Sequence, residues 1–259
     1  MKMLAEERQQ LILQMLKENN VVKIQEICEL TNCSESSARR DLQLLEERGL
    51  LIRIHGGAKI KHSLQRELDM SGKASKYINE KDKVAQLAAS LVQKEDVIYL
   101  DAGTTTLAMI PYLKLADLTV VTNGVMHASL LADQNVKTIL VGGELKNTTK
   151  AIIGVKAVSS LAELRFNKAF IGINGIHPRY GFTTPDPDEA AVKKTAMAQS
   201  EECFIVADPS KFDNVSFVKV ADLSLATIIT SSLSKHVKAR YHEQTTIQEE
   251  YLNDLYSDC

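Results

Sequence analysis

The stretch SESSARRDLQLLEERGLLIRIHGGA, residues 34–58, decides the fold of the first sixty residues. Ser34 is placed to cap a helix whose inner face is Ala38, Leu42 and Leu45. Gly49 stands where a helix closes in the left-handed conformation. An apolar strand, Leu50 to Ile54, follows, then a turn at His55-Gly56-Gly57 and a short return through Ala58 and Ile60. Upstream, Leu4, Leu11, Ile12, Met15 and Leu16 recur at helical spacing, which predicts an amphipathic helix over 3–18 ended by Asn19-Asn20. A second short helix turns Ile24, Ile27 and Cys28 inward and stops near Thr31-Asn32. Three short helices and a β-hairpin make a winged helix-turn-helix.

With the inner face of the third helix buried, Ser34, Glu35, Ser36, Ser37, Arg39 and Arg40 are left at its start and outer side. The start of a recognition helix reaches base edges in the major groove, and its free amides favour a phosphate. Arginine binds guanine in a bidentate manner or clamps a phosphate, and the residues leave open which arginine does which. Arg53, His55 and Lys59 on the hairpin suit backbone or minor-groove contacts. The formal net charge of the 259 residues is −2, which by itself disfavours a nucleic-acid partner. The distribution reverses this: from Arg39 to Lys61 six basic residues face three acidic ones. A local positive face binds phosphates whatever the charge of the whole molecule.

Residues 61–79 are polar and lack sustained periodicity, so they read as a linker. From Glu80 a helix with Val84, Leu87, Ala88 and Leu91 inward leads to a strand at 97–100. Strands near 118–121, 136–141, 168–173, 203–206 and 227–230 then alternate with helices near 104–110, 125–132, 155–164 and 188–199. Such alternation predicts an open, mostly parallel α/β sheet covered by helices. Ligands of these sheets bind beyond the carboxyl ends of the strands. Those ends carry Asp101-Ala102-Gly103-Thr104-Thr105-Thr106, Thr122-Asn123-Gly124, Gly142-Gly143-Glu144, Asn174-Gly175 and Asp208-Pro209-Ser210-Lys211. Small, hydroxyl, amide and charged residues at five successive ends fit a polyol phosphate. Gly103 to Thr106, at a helix start, take the phosphate role. A Gly-Lys-[Ser/Thr] ending is missing, so a nucleoside triphosphate does not fit. Lys211 and Lys193 supply positive charge. Asp101, Glu189 and Asp208 accept sugar hydroxyls or hold the lysines, although Glu189 and Lys193 also fit a plain surface pair four residues apart.

Residues 34–58 resemble the signature of the DeoR family of bacterial repressors, Ser-x-x-Thr-[Ile/Val]-Arg-Arg-Asp-Leu followed by an Arg-x-His-Gly-Gly-Ala wing. Ser37 stands in place of the usual Thr and Ala38 in place of the β-branched residue, so a methyl able to touch thymine is lost. The resemblance continues through DAGTTT (101–106), TNG (122–124), GGE (142–144), AFIGINGI (169–176) and DPSKF (208–212). It implies a sensor domain over 80–232, similar in fold to ribose-5-phosphate isomerase and coenzyme A transferases, with a phosphorylated sugar as effector. KNTTKAIIG (146–154), FTTPDPDEAAVKK (182–194) and SFVKVADL (216–223) resemble the fructose-operon repressors of low-GC Gram-positive bacteria, which points to fructose 1-phosphate. The implied protein represses a sugar-utilisation operon, binds operator DNA as a homodimer or homotetramer, and uses no cofactor.

The rival function is a sugar-phosphate isomerase with Asp101 or Asp208 as base and Lys211 as electrostatic stabiliser. The fused winged helix and the lack of a base paired with an activated partner stand against it. The charged start, MKMLAEERQQ, lacks an apolar signal core, and no run reaches the ~18 apolar residues of a membrane span, so a cytoplasmic protein without a membrane partner is expected. Cys28, Cys33, Cys203 and Cys259 lack metal-ligand or paired spacing and read as reduced thiols; no metal is called for. In the tail, 233–259, Ile247, Tyr251 and Leu255 are spaced four apart, which predicts a short helix.

Overall fold

The computed structural model describes residues 3–19, 21–60, 64, 69–113 and 117–249. The chain divides into two compact units, Met1–Ser63 and Leu64–Cys259.

In the first unit α1 (Ala5–Asn19), α2 (Ile24–Thr31) and α3 (Glu35–Glu47) enclose a core of Ile12, Met15, Leu16, Ile24, Ile27, Ala38, Leu42 and Leu45. Leu4 does not join it: one turn ahead of that core, it is 68% exposed. Cys28 is half-buried at its margin. Gly49 closes α3 with φ +70°. The wing has three strands, because β1 (Val21–Lys23) pairs with β3 (Gly57–Ile60), which also pairs with β2 (Leu51–Ile54). Gly57 is obligatory there: a Cβ would lie 2.0 Å from the carbonyl oxygen of Val22. A buried polar bond ties the helices together. Asp41, 2% exposed, accepts from Arg8 Nε at 2.5 Å and from Gln9 Nε2 at 3.1 Å, so α1 fixes the roll of α3.

The second unit opens with α4 (Met70–Ala74) and α5 (Ile78–Ser90) and is built on seven strands. In chain order come β4 (Val97–Leu100), α6 (Thr104–Met109), β5 (Thr119–Thr122), α7 (Val125–Asp133), β6 (Lys137–Leu140), the hairpin β7 (Glu144–Lys146) and β8 (Ala151–Ile153), and α8 (Val155–Ala162). Then follow β9 (Phe166–Gly172), β10 (Gly175–His177), β11 (Gly181–Thr184), α9 (Pro187–Ala198), β12 (Ser200–Val206), β13 (Val218–Ala221), β14 (Thr227–Thr230), α10 (Lys235–Ala239) and β15 (Ile247–Glu249). The large sheet runs β15-β14-β12-β9-β4-β5-β6 with every pairing parallel. Its strands read as continuous apolar runs because helices cover both faces. Tyr99, Ala169, Ile171 and Ile205 pack toward α8 and α9, while Ile98, Leu100, Phe170 and Phe204 pack on the other side with residues of α5 and α6.

Three elements differ from expectation. The α5 helix starts at Ile78, inside the expected linker. A small antiparallel sheet, β10-β11-β13, interrupts the alternation; its strands of three or four residues are too short to show a period in sequence. Ile247 lies in a strand, not a helix: β15 adds to the edge of β14, with Ile228 opposite Ile247, so the sheet extends beyond residue 232. Thr245-Thr246-Ile247 is a β-branched run, which outweighs the spacing of four. Tyr251, Leu255 and Cys259 lie outside the described residues. No helix among the described residues is long and apolar enough to cross a membrane.

Candidate functional site

The exposed start of α3 is assembled by its cap. The Ser34 hydroxyl accepts from Ser37 N at 3.3 Å and lies 2.9 Å and 3.0 Å from the hydroxyls of Ser36 and Ser37. Glu35, Ser36, Arg39 and Arg40 are exposed and Ser37 half-buried. Arg39 is held by Glu35 at 3.1 Å, an exposed pair a phosphate can displace. His55 and Lys59 are exposed on the wing. Arg53 is committed elsewhere: its backbone N and its Nε bind Glu46 at 2.8 Å and 2.6 Å, bracing β2 on α3. That double contact holds the Glu46 carboxyl below its usual range.

In the second unit the chain runs from β4 outward to β6 and then returns to β9 on the other side of β4. The switch point of the sheet is therefore between β4 and β9, where the crevice rule puts a ligand. Asp101 sits there, 1% exposed; its Oδ2 accepts from Gly172 N at 3.0 Å and from Lys193 Nζ at 2.5 Å. Glu189 is also buried, accepting from Lys146 Nζ at 3.0 Å and Thr149 Oγ1 at 2.7 Å. A surface pair between Glu189 and Lys193 is thereby excluded, since each is only 6% exposed.

Several residues expected to face a ligand build the loops instead. Thr106 Oγ1 donates to the carbonyls of Asp101 or Gly103, accepts from Gly103 N, and lies 3.0 Å from His127 Nε2. Thr122 Oγ1 donates to Leu100 O and accepts from Gly124 N. Asn123 accepts from Tyr99 OH and Ala102 N and donates to Ile152 O. Each is buried, and each side chain braces the 101–106 loop or the strand end beside it; Gly103 and Thr104 are half-buried, and Thr105 is buried beside them. Gly175 is required by packing, because a Cβ would lie 2.5 Å from Asn214 O. Asn174 accepts from Thr184 Oγ1, and Gly142 and Gly143 are exposed.

Asp208 is fully buried. Its Oδ1 accepts from Ser210 N and Oγ; its Oδ2 lies 3.4 Å from Lys211 Nζ and receives no hydrogen bond among the described residues. Within electrostatic reach of this group is Lys81, 6% exposed, whose ammonium donates to Lys73 O. Burial, together with Lys211 and Lys73, outweighs the attraction of Asp208 and lowers the Lys81 pKa to about 8. Lys81, Lys146 and His127 are missing from the sequence reading. Lys81 reads as one charge among many in a helix start, and only packing reveals a buried lysine, which is rare in proteins. His127 is buried and, by desolvation, kept neutral with a pKa lowered to about 4. A separate groove of about 470 Å³, lined by Cys203, Leu225, Thr227 and Thr245 among others, lies at the amino ends of β12 and β14, away from these groups.

Comparisons agree with this division. Residues 8–64 match the DeoR-like helix-turn-helix domain and residues 76–232 the DeoR C terminal sensor domain. The chain is 48% identical to the "uncharacterized HTH-type transcriptional regulator FruR" of Bacillus subtilis, over 95% of this chain and 98% of the relative. It is 35% identical to the HTH-type transcriptional repressor GlcR of the same organism, over 89% and 90%. With the lactose phosphotransferase system repressor of Staphylococcus epidermidis it shares 31%, over 88% and 93%. Among solved structures it is similar to ribose 5-phosphate isomerase A of Methanocaldococcus jannaschii, with TM-score 0.39 and 18% identity over 51% and 53%. The named relatives are regulators and repressors of transcription, and Asp101, one of the two candidate bases of the rival enzyme, is paired with Lys193. Matched by both family models and by full-length relatives, the chain belongs to the DeoR family of helix-turn-helix transcriptional regulators.

Proposed function

We propose that this regulator represses a sugar-utilisation operon and is released from its operator by a phosphorylated sugar bound beyond the carboxyl ends of β4, β9 and β12. The observation that carries the proposal is the charge arrangement around Asp208. A buried carboxylate oxygen without a hydrogen-bond donor lies 3.4 Å from the Lys211 ammonium and within electrostatic reach of the buried Lys81. An anion offers the lysines a second negative partner, and a sugar hydroxyl offers Asp208 the missing hydrogen bond. Gly103 and Thr104 border the site on the β4 side, and Asp101 and Lys193 form its floor at the switch point. On the DNA side, Ser34, Glu35, Ser36, Ser37, Arg39 and Arg40 at the start of α3 read the operator, with His55 and Lys59 at the phosphates and Arg53 acting through Glu46. Resemblance to fructose-operon repressors favours fructose 1-phosphate as the inducer.

The mechanism is a population shift. A ligand that binds the operator-incompetent arrangement more tightly drains the DNA-bound one by its difference in affinity. A thermal-shift screen of phosphorylated hexoses and pentoses tests the proposal. Fructose 1-phosphate raises the melting point in a concentration-dependent way and unphosphorylated fructose does not. A flat response to every phosphorylated sugar contradicts it.

A further inference from the structure

The outer side of α7 and the end strand β6 carry apolar surface that no described residue of the second unit covers. In α7, VMHASLLAD, His127 and Leu131 point inward, while Val125, Met126 and Leu130 stand 37%, 42% and 41% exposed. Among Ser129, Ala132 and Asp133 these three make an exposed apolar stripe opposite the inward face, and a helix apolar on two sides is one that something covers. The adjoining strand repeats the pattern. Ile139 and Leu140 point to opposite faces of the sheet, and both are exposed, at 43% and 44%. As the last strand of the sheet, β6 has one backbone edge outside the sheet's ladders. No Asp, Glu, Lys or Arg occurs from Val125 to Ala132 or from Thr138 to Gly143. The five side chains present on the order of 400 Å² of apolar surface, about half of the ~800 Å² that one partner of a standard interface buries.

We infer that a second copy of this chain docks on this face, α7 and β6 of one protomer against the same elements of its partner. An isologous contact must be complementary to itself. An uncharged apolar face meets that condition without opposite charges in register, and it offers nothing to a nucleic acid, which needs cations. The open edge of β6 supplies a direction for pairing. Proteins blunt a bare apolar edge with charges or bulges, and β6 has only Lys137 at its start, so pairing is what protects it. The face also begins at the candidate ligand site. α7 follows Thr122-Asn123-Gly124 directly, His127 on its inner side meets Thr106, and Gly142-Gly143 leads out of β6. A group bound at the strand ends therefore has two short routes to the contact between protomers. The interface itself does not depend on the effector assigned above.

Sedimentation equilibrium of the full chain, with Leu130→Glu and Ile139→Lys beside it, tests the inference. The parent chain sediments at twice the monomer mass or a multiple of it, and each variant falls to half the parent mass with an unchanged circular-dichroism spectrum. A monomeric parent, or folded variants that keep its mass, overturns it. Should both variants misfold, Ile139→Cys treated with a short bis-maleimide decides the matter. It yields a covalent dimer beyond that of the parent, whereas Leu225→Cys, 63% exposed at the amino end of β14, does not. Equal cross-linking at the two positions contradicts the proposed face.

Discussion

Arg39 and Arg40 project from the outer side of α3 while Ala38 and Leu42, their neighbours in sequence, are buried. Replacing both arginines with Ala abolishes specific operator binding and shifts the melting point by no more than a few degrees, since an exposed substitution changes stability by under ~0.5 kcal/mol. Asp41, one residue further, is a different case. Asp41→Ala leaves Arg8 and Gln9 without their buried partner and destabilises the first unit by about 3–5 kcal/mol, measurable by urea titration. Lys81 is the corresponding buried charge in the second unit. With its pKa near 8, bound anion holds the proton that the free site loses as pH rises. Effector affinity is therefore greatest below pH 8 and falls by up to about tenfold per unit above it. Lys81→Met weakens binding and removes this pH dependence, which isothermal titration at several pH values records.

At the scale of elements, His127 gives α7 an acid limit. The imidazole is neutral when buried and binds a proton once unfolded, so the unfolded chain takes up more protons between about pH 6.5 and 4. Stability thus falls as pH drops through that window, by up to about 3 kcal/mol, and His127→Gln flattens the fall. Melting curves from pH 7 to pH 4 check it. The elements also show what a single sequence reveals. Ser34, Gly49 and the Gly56-Gly57 turn were legible because caps and turns are chosen by local backbone chemistry. The parallel strands were legible because their apolar runs are bounded by Gly, Asn and Asp. Strand β1 was not: three residues give no period, and its partner lies over thirty residues away. The same reason hid the inward roles of Thr106, Thr122 and Asn123. Their types fit a ligand loop or a loop brace equally, and only the distances to Asp101, Leu100 and Tyr99 choose the brace. Lys81 was illegible because burial of a lysine is decided by packing between α4 and α5, not by the residues beside it.

At the scale of the molecule, net charge −2 coexists with a basic reading surface, so DNA affinity rests on a few phosphate contacts rather than on a general positive field. Operator affinity should fall with salt by a log–log slope of about −0.9 per phosphate engaged, so the slope counts those contacts. In the proposed mechanism, phosphosugar at the strand ends and operator at α3 compete through one equilibrium. Fluorescence anisotropy of labelled operator, titrated with the full chain with and without fructose 1-phosphate, tests it most directly. The sugar phosphate is expected to weaken operator binding at least tenfold in the parent chain and to leave Lys81→Met, which still binds operator, unmoved. Operator affinity that is unchanged or tightened by fructose 1-phosphate in the parent chain would contradict it.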